Sequence, residues 1–147
     1  MAHVRKSIRD AITTALTGLT TTGANVYQTR VYPLAENKLP GLAIYTSTEE
    51  TEYASLTIPR TLIRNATVTV EAYVKGVSGY DDTLDTICKE VELAISADVT
   101  LGGLAKDTQI TGFTADFNGE SEQPVALGVI EIVVNYVTIE DNPEVSA

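Results

Sequence analysis

Nucleophiles, imidazoles and clustered carboxylates are the groups with which a small protein does chemistry, and this chain is sparing with the first two. It holds one cysteine, Cys88, and one histidine, His3. Thiol catalysis needs a thiolate beside a base, yet Cys88 falls on the apolar stripe Leu84, Ile87, Cys88, Val91, Ala94 and Ile95 of a predicted helix. A free cysteine there behaves as a small hydrophobe. A serine triad would also have to use His3, and no G-x-S-x-G turn is present. Gly102-Gly103 lacks the glycine and lysine spacing of a phosphate loop and reads as a turn.

Carboxylates are plentiful, in two groups: Glu49, Glu50 and Glu52, and Asp81, Asp82 and Asp85. The aspartates suit the first turn of a helix, with Asp81 or Asp82 as its cap. The glutamates have no histidine or cysteine beside them to complete a transition-metal site, and the D-x-D-x-D-G spacing of a calcium loop is missing. No cofactor, metal or catalytic residue is expected. Asn65-Ala66-Thr67 matches a glycosylation sequon but falls within a predicted strand and is taken as chance.

The elements that carry these residues follow from periodicity. Val4, Ile8, Ala11, Ile12, Ala15 and Leu19 mark one face of an opening helix, stopped by Gly18, Gly23 and the threonines between them. Val26 to Tyr32 and Gly41 to Thr46 read as short strands. Residues 47–60 carry the glutamates and Pro59 without strong periodicity, and read as a long, mobile loop or hairpin arm. In 62–75, Val68, Val70, Ala72 and Val74 alternate with Thr67, Thr69, Glu71 and Tyr73. Arg64 falls on the buried side of that alternation, which suggests a bulge nearby. After the helix come strands at Thr108 to Phe117 and Val125 to Ile139, joined by a turn around Asn118-Gly119-Glu120. The last strand is apolar on both faces, as suits an interior position.

The order α-β-β-β-α-β-β implies an α+β fold: two layers, a mostly antiparallel sheet of about five strands, and two helices on one face. The expected division is one domain over 1–139 and an acidic, flexible tail over 140–147. At 147 residues with 44% hydrophobic content, the chain can bury a core. No run of about 18 apolar residues suggests a membrane span, and the N-terminus shows no secretory pattern. The formal charge of −10 repels phosphate. The basic trio Arg5, Lys6 and Arg9 has no interleaved aromatics for stacking on nucleic acid.

Two features exceed a plain structural account. The trio crowds the start of the first helix, where positive charge opposes the dipole, so it reads as a solvated face or as a patch for an acidic neighbour. The 47–60 segment is long for a loop, and its glutamates could meet Arg60, Arg64 or the trio. The interface candidates are therefore Arg5, Lys6, Arg9, Glu49, Glu50, Glu52, Tyr53, Arg60 and Arg64.

Several strings together resemble a known family. They are Ile8-Arg9-Asp10-Ala11-Ile12 in the opening helix, Val31-Tyr32-Pro33, and Leu39-Pro40-Gly41-Leu42-Ala43-Ile44-Tyr45. The acidic segment with Glu49, Glu50 and Glu52 comes next, then Val68-Thr69-Val70-Glu71-Ala72-Tyr73-Val74, Asp81-Asp82-Thr83-Leu84-Asp85 and Val133-Val134-Asn135-Tyr136. In this order they resemble the tail terminator and tail-to-head joining family of long-tailed siphoviruses, the group containing the lambda minor tail protein U. The resemblance implies a non-enzymatic virion protein, made in the host bacterial cytoplasm and sited at the tail-head junction. It implies a homo-hexameric ring that caps the tail tube, fixes its length and offers the surface for head attachment. Its implied partners are further copies, the tail tube protein and a head-completion or connector protein, with DNA passing through the lumen without specific binding. A head-tail connector or other neck component is the alternative, and a small metal-dependent hydrolase the remote one.

Overall fold

In the computed structural model, which describes residues 2–28, 39–118 and 124–147, the predicted element order is realised. Helix α1 spans Val4–Leu16 and buries Val4, Ile8, Ile12 and Leu16, one residue per turn. Burying four such side chains contributes roughly 6–12 kcal/mol, an upper figure because the unfolded chain already hides some surface. The helix stops three residues short of Leu19: Thr17 is extended, and Gly18 follows at φ +89°. His3 is its N-cap, with Nδ1 accepting the Arg5 N–H at 3.0 Å.

Strands β1 (Val26–Tyr27), β2 (Gly41–Tyr53), β3 (Thr61–Lys75), β4 (Asp107–Asn118), β5 (Val125–Ile139) and β6 (Asn142–Ser146) form one sheet. The order is β1-β2-β3-β5-β4, with β6 paired to the far end of β5. Only β1–β2 is parallel. Helix α2 (Tyr80–Ser96) and α1 cover one face, and their stripes meet Leu42, Ile44, Val68, Val70, Ile130, Ile132 and Val134 in one core. This is the expected two-layer α+β architecture. The expected strand beyond Tyr27, with Val31-Tyr32-Pro33, and the turn at Gly119-Glu120 lie outside the described residues.

One alternative is decided and two expectations are corrected. Of the loop or hairpin arm expected over 47–60, the hairpin arm is realised: β2 runs to Tyr53, and only a short connection at 54–60 joins it to β3. The α2 cap is Gly79, at φ +84°, and Asp81 and Asp82 sit inside the first turn, where they still favour the dipole. Residues 142–146, expected in a flexible tail, pair with β5 as β6, and the Arg60 guanidinium holds the Glu140 carboxylate at 3.0 Å where β5 turns into it.

Bulges decide which side chains face the helices. Directly opposed residues of antiparallel strands share a face, and one extra residue flips that choice. In β4 the register shifts between Ile110 and Gly112, so Phe113 and Phe117 point to the helix side. Phe113 lies over Gly128, and Phe117 stacks on Tyr80 with centroids 5.0 Å apart. At the end of β3, a Cβ on Gly76 would stand 2.5 Å from the Phe117 ring and 3.0 Å from the Pro124 backbone. Gly76→Ala should therefore destabilise by about 1–3 kcal/mol through overpacking, seen as a lower urea midpoint at unchanged m-value.

Candidate functional site

The second bulge builds the charged site. In β2 the register shifts between Thr46 and Thr48, leaving Ser47 as the extra residue. Without it, Glu49 would share the outer face with Tyr45. With it, Glu49 lies opposite Ala66, on the helix side, and Thr51 lies opposite Arg64. The bulge suggested by Arg64 therefore exists, but on the neighbouring strand.

Glu49 is 9% exposed and takes cations from two elements. Arg5 of α1 donates through Nε at 3.2 Å and through Nη2, and Arg64 of β3 donates through Nη1 at 3.1 Å. The Tyr136 hydroxyl of β5 completes the set by donating to Glu49 Oε1. Arg64 is 11% exposed; its Nε donates to Thr138 Oγ1 at 3.0 Å, and its guanidinium lies over the Tyr136 ring. A buried charge is tolerated only when paired and hydrogen-bonded, and here one carboxylate satisfies two guanidinium groups and a phenol.

The electrostatics agree with the geometry. Burial alone would raise the Glu49 carboxyl, but the Arg5 hydrogen bond, then Tyr136 and the Arg5 charge, hold it below its ordinary value. Burial, and then the bond to Glu49, push the Tyr136 phenol well above its own. His3 is lowered by burial and by the Arg5 charge, so near neutral pH it is an uncharged cap. Cys88 is raised by burial and then by Glu92 and Asp85. A thiol so raised, beside the Glu92 carboxylate, is a poor nucleophile.

The sequence candidates thus divide. Arg5, Glu49 and Arg64 meet in one cluster, as the acidic arm and the basic residues suggested. Lys6 pairs with Asp10 at 2.8 Å on the exposed face of α1, in the less favourable orientation for an i,i+4 pair. Arg9 donates to Gln28 at 3.1 Å and to Thr46 at 3.2 Å. Arg60 lies against Glu140 and over the Tyr53 ring at 5.6 Å, while Glu50 and Glu52 face solvent. Tyr136 and His3 escaped the sequence reading. Tyr136 shares the parity of Ile130, Ile132 and Val134, and a phenol on a core stripe needs a polar partner. Among the described residues no three metal-binding side chains converge, and no helix is long and apolar enough to cross a membrane.

Among the described residues, two helices cover one face of the sheet and its densest charge cluster clamps the first of them, which defines a small α+β protein. The profile of the phage minor tail protein U family matches residues 3–132, and the chain belongs to that family. It is a structural protein of the phage tail, and its place is in the virion. No curated protein sequence matches it. Among solved structures it is similar to a chain of the "Virion of native gene transfer agent (GTA) particle". The two share 15% identity over 90% of this chain and 92% of that one, with a TM-score of 0.35.

Glu49→Gln tests the clamp and has a pH signature. A depressed folded-state value means that the ionised Glu49 stabilises fully above its ordinary value of 4.5. That contribution is lost as pH falls through the lower folded value. The variant should lose on the order of 2–4 kcal/mol at pH 7, less than a fully buried pair because Arg5 reaches water. The gap to wild type should close in acid, as read from urea midpoints across a pH series. Tyr136→Phe, which removes one donor to a charged acceptor, should cost about 1.5–3 kcal/mol.

Proposed function

We propose that this subunit is a tail terminator: a non-enzymatic protein that forms a ring on the end of the tail tube, stops its growth and offers the surface to which the head attaches. Membership of the minor tail protein U family across residues 3–132 carries this reading. The resemblance drawn from the sequence strings points the same way. The chemistry of the chain supports it: the one thiol is raised and half-buried, the one imidazole caps a helix, and the buried acid is saturated by cations. A charge of −10 suits a wall past which DNA must slide without being gripped.

Contacts with other copies, the tube and the head fall to the residues left at the surface. Of the nine candidates, Lys6, Arg9, Glu50, Glu52 and Tyr53 remain for that role, because Arg5, Glu49 and Arg64 have structural employment within the chain and Arg60 anchors the β5–β6 turn. Charge reversal at Lys6 is therefore a cleaner probe of assembly than reversal at Arg5. Lys6→Glu should weaken ring formation while moving the melting temperature little, since an exposed pair contributes about 0–1 kcal/mol.

The deciding experiment adds the purified protein to assembling tail tubes. A terminator fixes tube length at one end, and electron microscopy of those ends shows a ring. Binding to capsid portals with tube length unchanged would instead make the protein a head adaptor. A strict monomer that never associates with tubes would end the terminator reading.

A further inference from the structure

The chain presents an apolar projection at one end of β3 and an apolar recess at the other. At the tip of the β2–β3 hairpin Leu56 is 90% exposed and Ile58 72% exposed, an unusual exposure for two large aliphatic side chains two residues apart. At the opposite end of β3 a recess of about 270 Å³ is lined by Leu39, Pro40, Val74, Val77, Tyr80 and Thr83. Val77, on its lip, is 63% exposed. Among the described residues of that lining Lys75 is the charged one, and the arm behind the tip carries the outward Glu50 and Glu52.

These two features cannot meet within one chain. They are separated by the length of β3, Thr61–Lys75, about 45 Å at about 3.3 Å per residue. We infer that Leu56 and Ile58 of one copy seat in the Val77–Tyr80 recess of the next, head to tail. The size of the recess suits aliphatic side chains, the acidic arm would run past Lys75, and a heterologous contact of this kind closes into a ring when its rotation permits. Apolar anchors in a desolvated pocket carry most of the energy of such interfaces. The inference rests on the ring proposed above and assigns its subunit contact.

The test mixes two single-cysteine chains, Leu56→Cys and Val77→Cys, each also carrying Cys88→Ser, in the presence of purified tail tubes and under mild oxidation. A disulfide joining the two different chains is expected. In parallel, Leu56→Asp with Ile58→Asp should weaken self-association at least about tenfold by sedimentation, with the melting temperature unchanged because the tip is solvent-exposed. Val77→Glu, altering the other partner, should give the same loss. If the Asp variant forms rings with wild-type affinity and no cross-chain disulfide appears, the inference is overturned while the ring stands. If wild type itself neither associates nor caps tubes, the ring reading falls, and this contact with it.

Discussion

The structure turns on one buried carboxylate. Helix α1 carries Arg5 and Lys6 and no acid in its first turn, with Arg9 in the next, so its dipole and its own side chains repel each other at that end. Glu49, delivered from a distant strand, supplies the missing negative charge. In doing so it joins α1, β2, β3 and β5 through Arg5, Arg64 and Tyr136. The low polarity that makes an unpaired ion costly makes this saturated set specific. A slip of one residue in β2 would leave Arg64 buried without its acid, which disfavours every register but one.

That constraint explains why a hairpin so long stays in order. Beyond Ile44 the inner face of β2 has little apolar surface to bury, and an arm rich in threonine and glutamate would fray on its own. The bulge at Ser47 turns Glu49 inward, and the ion pairs replace the missing hydrophobic anchor midway along the arm. At its far end the Arg60–Glu140 pair ties the start of β3, beside the hairpin connection, to the β5–β6 turn. Polar interactions therefore hold the region where apolar packing runs out.

Much of this was legible in the sequence, and the remainder was hidden for a physical reason. Alternation in 68–74 and the stripes of both helices located the core, because burial imposes a period. Arg64 on the buried parity announced a register irregularity, though not on which strand. Residues 47–53 concealed a strand because their inward side chains are polar, so periodicity of hydrophobic residues was the wrong signal. His3 and Tyr136 depend on through-space partners that no local spacing reveals. The paired tail at 142–146 escaped notice for a similar reason: it is held by backbone ladder bonds and by the Ser146 hydroxyl on the Leu104 carbonyl, with the Arg60–Glu140 pair at the turn before it, signals that no apolar period reveals.

The position of β3 has a mechanical consequence. It is flanked by antiparallel neighbours, β5 along its whole length and β2 from Leu62 to Tyr73. A load entering at the hairpin tip and leaving near Val77 runs along the strand axis. It would strain both ladders in shear, so that many hydrogen bonds share the force at once, rather than peeling them open one by one. Such a strand acts as a tie rod, with stiffness greatest in the direction that spans the subunit end to end.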